Sequence, residues 1–145
     1  MAKFVLVHGA WQTASTWDLV LPKLRTAGHQ VWIPLLSGLE NDAKLLTPDI
    51  GLKTHIEDVV GLLTREDLQD VTLVGHSYAG MIITGVAEHA LQRLNRLIYV
   101  DAFVPCDGQS VLDLLPATVV QLFQQQAANT GEGWRLPSGD LICGA

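Results

Sequence analysis

The stretch VTLVGHSYAG, Val71 to Gly80, carries the side chain best suited to covalent chemistry, Ser77. A serine hydroxyl is a weak nucleophile until a base takes its proton, but a sharp strand-to-helix turn can present it to a substrate. Such a turn needs small residues two before and two after the serine, so that strand and helix can approach. Gly75 and Ala79 meet that need. Ala79 departs from a strict Gly-x-Ser-x-Gly pattern while keeping the smallness, and Gly80 is expected to add slack beside it. Taken alone, the pentapeptide is a common turn; after VTLV and before an apolar helical pattern it points to attack by Ser77 on an acyl carbon.

Two further groups of residues follow apolar runs. His8-Gly9-Ala10-Trp11 comes straight after Phe4 to Val7, and its small residues let the backbone amides of Ala10 or Trp11 turn toward a reacting carbonyl. With the amide of Tyr78 they would form an oxyanion hole, with the side chains of His8, Trp11 and Phe103 lining a substrate pocket. Asp101, in Tyr99-Val100-Asp101-Ala102-Phe103, is a possible acid, with a helix cap or hinge as its plainer role. Cys106 and Cys143 form no Cys-x-x-Cys and have no histidine at ligand spacing, so no metal or other cofactor is expected.

These residues need strands and helices to position them. Phe4 to Val7, Val31 to Ile33, Val71 to Val74 and Leu97 to Val100 are short apolar runs of the kind buried in a parallel sheet. Between them, Val20, Leu21 and Leu24 form a helical stripe with Pro22 near its first turn. Ile56, Val59, Val60 and Leu63 repeat at helical spacing with Glu57 and Asp58 facing away, and Met81, Ile82, Val86, Ala90 and Leu91 make a third apolar face. The alternation predicts an α/β fold with helices on both faces of a four-stranded sheet over residues 1–106. Residues 107–145 differ in texture: two short helices interrupted by Pro116, then an unpatterned segment rich in glycine and proline.

Composition excludes several classes of function. The 145 residues are 48% hydrophobic and carry a formal charge of −6, with nine basic residues scattered along the chain. No basic stripe exists to hold phosphates, so no nucleic acid partner is expected. The four apolar residues after Lys3 are too few for a signal peptide or a membrane span. With two cysteines, the reading is a reduced, cytoplasmic protein.

Together, FVLVHGAW, AGHQV, LVGHSYAG and YVDAFVP resemble the α/β-hydrolase superfamily, and within it the small bacterial esterases related to plant methylesterases and hydroxynitrile lyases. The resemblance implies Ser77 as nucleophile, the amides of Ala10 or Trp11 and of Tyr78 as oxyanion hole, small esters as substrates, and residues 107–145 as part of a helical cap. It also implies a triad whose acid and histidine lie on later strands, in domains of roughly 230 to 260 residues. The chain is therefore expected to be the N-terminal portion of a truncated hydrolase fold, with impaired catalysis. The alternatives are a non-catalytic hydrolase-fold protein and a hydroxynitrile lyase-like parent. None of the five histidines reads as a substitute base: His8 and His76 belong to turns, His29 to the far end of the sheet, and His55 and His89 to helices. The implied strand order, second-first-third-fourth, leaves the LIYV run at an open edge, so a homo-oligomer through that edge or the cap helices is expected.

Overall fold

The computed structural model describes residues 1–39 and 46–136; the DLICGA segment lies outside the described residues. Two compact units are present, Met1–Cys106 and Asp107–Ala145. In the first, strands β1 (Lys3–Val7), β2 (Gln30–Trp32), β3 (Val71–His76) and β4 (Leu94–Val100) form one parallel sheet in the order β2-β1-β3-β4. The parallel α/β sheet is the one the strand and helix pattern predicts, and its strand order is the one the resemblance implies. β2 lies one residue earlier than its apolar run, β3 continues to His76, directly before Ser77, and β4 begins three residues before the LIYV run.

Alternate residues of the strands feed two apolar layers. Val5, Val7, Val71 and Leu73 pack with Val59, Leu62, Leu63, Ile82, Ile83 and Val86 of helices α2 (Leu52–Arg65) and α3 (Ala79–Ala90). Leu6, Val31 and Val74 point to the other face, where they meet Trp17 from a 3-10 turn and Leu21 and Leu24 of α1 (Leu21–Thr26). Helices therefore cover both faces. Each fully buried aliphatic side chain contributes about 1.5–3 kcal/mol relative to exposure, so the α2–α3 layer is the main core.

Local signals explain the helix limits. Pro22 sits in the first turn of α1, and left-handed Gly28 (φ 86°) ends it, with the His29 amide reaching back to the Leu24 carbonyl. At the start of α2 the Thr54 hydroxyl accepts a hydrogen bond from the Gly51 amide at 3.2 Å. Two side chains depart from expectation. Asp58 does not simply face solvent: its carboxylate accepts hydrogen bonds from the Ser37 amide and hydroxyl at 2.8 and 3.0 Å. Leu91 is 69% exposed because α3 ends at Ala90 and the chain turns out of the apolar stripe.

The second unit contains α4 (Val111–Leu114) and α5 (Ala117–Thr130), separated at Pro116 as the sequence suggests, although α5 is 14 residues long rather than short. Ser110 caps α4, exchanging hydrogen bonds with Asp113. Among the described residues no helix is long and apolar enough to cross a membrane.

Candidate active site

Sheet register brings the three candidate groups to one edge. Val7 pairs with Gly75 and Gly75 with Tyr99, so the chain leaves β1, β3 and β4 in neighbouring rows at their carboxyl ends. Ligands of open α/β sheets bind at that end. Ser77 there has φ 56°, a left-handed conformation uncommon for a residue with a side chain. Trp11 (φ 57°) after β1 and Asp101 (φ 43°) after β4 share it. Each such residue stores on the order of 1–3 kcal/mol of strain, held by the packing around it.

The packing is close. A Cβ on Gly75 would come 2.8 Å from the Ala79 carbonyl oxygen, which is why the position two before Ser77 must be glycine. Gly80 is not slack: a Cβ there would run into the Phe103 carbonyl oxygen and come 3.0 Å from Ala102 Cβ. The Ser77 carbonyl accepts hydrogen bonds from the amides of Gly80 (3.1 Å) and Phe103 (3.2 Å), while the Ser77 amide donates to Val100 at 3.4 Å. The turn is thereby tied to the segment that follows β4.

The turn after β1 closes over the serine. A Cβ on Gly9 would come 3.0 Å from Ser77 Cβ. The Gln12 carboxamide oxygen accepts from the Gly9 amide at 2.9 Å and from His76 Nδ1 at 3.2 Å, bridging the two turns. Sequence reading missed Gln12, because a polar residue one past HGAW carries no signal of its own. His8 is fully buried and donates from Nδ1 to the Gly9 carbonyl at 2.9 Å.

A second polar chain lies beneath the serine turn. His55, 6% exposed, has Nε2 2.9 Å from the Ser37 carbonyl and Nδ1 2.9 Å from the Tyr78 hydroxyl. A carbonyl only accepts, so Nε2 bears the proton and Nδ1 accepts from the phenol. Burial lowers the His55 pKa from the usual 6.5, outweighing the Ser37 hydrogen bond and the Asp58 charge, which raise it; His8 lowers it further. Burial also pushes the Tyr78 phenol up to about 12, so it remains a donor. The available signal was the spacing of His55 with Val59, Leu62 and Leu63, one buried stripe of α2.

Ala10, Trp11, Ser77, Tyr78, Asp101 and Phe103 thus gather around the ends of three adjacent strands. The remaining histidines are elsewhere. His29 accepts from the Ala2 amide and packs edge-on against Phe4 at the opposite end of β1, and His89 lies in the last turn of α3. A cleft of about 510 Å³ is lined by Ile33, Pro34, Leu35, Glu57, Asp58 and Arg65, among others, and shares no residue with the serine turn.

The sheet order and strained serine turn belong to a well-defined class. Residues 4–144 match the Alpha/beta hydrolase family, and the chain is a member of that family. It is 48% identical over 116 residues to the carbendazim hydrolyzing esterase of Nocardioides sp. (strain SG-4G), covering 80% of this chain and 48% of the relative. Methylesterase 8 of Arabidopsis thaliana is 29% identical over 132 residues, covering 90% of this chain and 46% of the relative. A solved extracellular α/β-hydrolase from a Paenibacillus species superposes with TM-score 0.84 and 36% identity, over 90% of this chain and 53% of that one. The chain spans about half the length of the curated relatives it matches.

Proposed function

We propose that the chain carries the nucleophile and oxyanion half of a carboxylesterase acting on small esters. Ser77 Oγ attacks the ester carbonyl carbon as its proton passes to water, and the carbonyl π pair moves onto the oxygen. The amides of Tyr78 and of Ala10 or Trp11 stabilise that oxyanion, and its collapse breaks the C–O bond to the alcohol, which leaves with a proton from water. The observation that carries this reading is the left-handed Ser77 at the end of β3, with Gly9 packed against it from the neighbouring strand end. The named activities of the Nocardioides and Arabidopsis relatives support an ester substrate. Trp11, 38% exposed, and Phe103 would meet its apolar part, and Asp101 is held as a possible acid.

A second reading, a hydrolase fold that binds without turnover, is favoured by the histidines. Within the described residues, His8, His29, His55 and His76 each engage a group other than the Ser77 hydroxyl, and His89 is roughly 15 Å along α3 by helix rise. Losing the base of a serine triad costs on the order of a million-fold in turnover, leaving roughly a thousand-fold over water. We therefore propose impaired catalysis by this chain.

Incubation with an activated aryl acetate, followed by intact mass and peptide mapping, separates the readings. Slow acetylation at Ser77, absent in Ser77→Ala, supports the esterase half. Labelling that ignores the substitution supports the non-catalytic reading, and turnover at an ordinary esterase rate would reveal a base.

For assembly, we propose self-association through β4, whose outer edge has no strand partner among the described residues and includes half-exposed Val100. Light scattering that finds a monomer at high concentration removes this part. A cytoplasmic location is kept as a proposal on the two-cysteine complement, and cell fractionation tests it.

A further inference from the structure

His55 is a buried, titratable side chain that the proposed ester chemistry does not use. It stands at the centre of a continuous polar chain: Asp58 accepts from the Ser37 amide and hydroxyl, the Ser37 carbonyl accepts from His55 Nε2, and His55 Nδ1 accepts from the Tyr78 hydroxyl. The Tyr78 ring also meets the imidazole edge-on, with centroids 5.8 Å apart and planes at 75°. Tyr78 follows Ser77 and caps the start of α3, so its backbone and side chain act on different parts of the molecule. The backbone belongs to the serine turn, while the phenol is fastened to His55 of α2 and through it to the loop after β2.

We infer that His55 is a positioning residue of the serine turn: by accepting the Tyr78 hydroxyl it fixes the Ser77–Tyr78 peptide, and Ser37 and Asp58 hold His55 in place. The inference rests on the reading that the Tyr78 amide faces the oxyanion, but the relay itself is independent of catalysis. Its physical basis is that a left-handed residue persists only where its surroundings over-determine it. Ser77 is held by backbone hydrogen bonds on the β4 side, and the phenol–imidazole bond supplies a hold from the α2 side.

In the neutral imidazole Nδ1 accepts from the phenol; protonation puts a proton on Nδ1, so the bond reverses and the Tyr78 oxygen becomes the acceptor. The charged or titratable groups around it are Asp58 on its own helix, His8 at the end of β1, and the Tyr78 phenol from the serine turn. Acidification should therefore reverse the Tyr78–His55 hydrogen bond once His55 protonates, below the usual 6.5, and shift the serine turn with it.

The test is a pH titration of the 15N-labelled chain by NMR, following the Ser77 and Tyr78 amides and the imidazole nitrogens. The relay predicts a proton on Nε2 of neutral His55 and Ser77 and Tyr78 amides that shift with the His55 midpoint. In Tyr78→Phe, which keeps the ring packing, His55 still titrates and the amides lose that inflection. In His55→Gln the same inflection is lost. Three results overturn the relay: a proton on Nδ1 of the neutral ring, serine-turn amides that ignore a titrating His55, or amides that still follow His55 in Tyr78→Phe. Should His55 stay neutral to the acid limit of the fold, its ring-nitrogen shifts decide the matter through the tautomer. Should Tyr78→Phe fail to fold, His55→Gln and the unsubstituted chain carry the test. An inert chain in the ester assay leaves these readouts intact, and a failed relay leaves the Ser77 labelling test intact.

Discussion

Gly9 and Ser77, 68 residues apart in the chain, face each other across two strand ends with no room for a side chain between them: a Cβ on Gly9 would stand 3.0 Å from Ser77 Cβ. The same Cβ would lie 3.2 Å from both the His76 carbonyl and Gln12 Oε1. Two of these three neighbours are part of the serine turn, which cannot retreat without moving β3. Gly9→Ala is expected to destabilise the fold by about 1–3 kcal/mol. Urea denaturation checks it, through a lowered midpoint at unchanged slope.

Two other glycines should respond in opposite directions. Gly61, exposed in the interior of α2, has nothing within 4 Å of an added Cβ, so Gly61→Ala is expected to stabilise by about 0.5–1 kcal/mol through lost unfolded-state freedom. Gly80 is buried against the Phe103 carbonyl, and Gly80→Ala is expected to cost at least about 1–3 kcal/mol. Thermal midpoints of the pair, measured together, give the contrast.

Ser77 is held at φ 56° against its intrinsic preference. Ser77→Gly is expected to raise stability by at most about 1 kcal/mol, because relief of the left-handed penalty of about 1–2 kcal/mol is partly offset by the unfolded-state freedom of about 0.5–1 kcal/mol that glycine adds. It should at the same time abolish any acyl-enzyme in the aryl acetate assay. A stability loss in Ser77→Gly would show that the hydroxyl contributes more to the fold than the strain removes.

Stability should fall on the acid side through His55. Its native pKa lies below the unfolded value of 6.5, burial being the main cause. The unfolded chain therefore binds the proton first as pH drops, so the stabilisation is complete above 6.5 and is lost as pH falls through the native value. Urea midpoints measured between about pH 8 and pH 5 should decline toward acid, and decline less in His55→Gln.

The strands and the serine turn were legible from local sequence because both depend on neighbours in the chain. VTLV, a short apolar run bounded by turn residues, reads as buried strand, and the small Gly75 and Ala79 around Ser77 read as a tight turn. The four runs also carried enough alternation to imply a doubly wound sheet, and the motifs after them implied the α/β-hydrolase family. Interactions across the fold were not legible. Gly80 read as slack because the carbonyl it meets belongs to Phe103, beyond the end of β4. Asp58 read as a solvent-facing acid because Ser37 reaches it from the loop after β2, 21 residues earlier. Gln12 and His55 are polar residues whose partners lie 64 and 23 positions away, and sequence spacing holds no record of such pairs. Side-chain size and hydrophobic period are properties of a segment, so sequence determined the elements and the position of the serine turn. A hydrogen bond between distant side chains needs a distance and an angle, and only the tertiary structure decided which polar groups hold that turn in place.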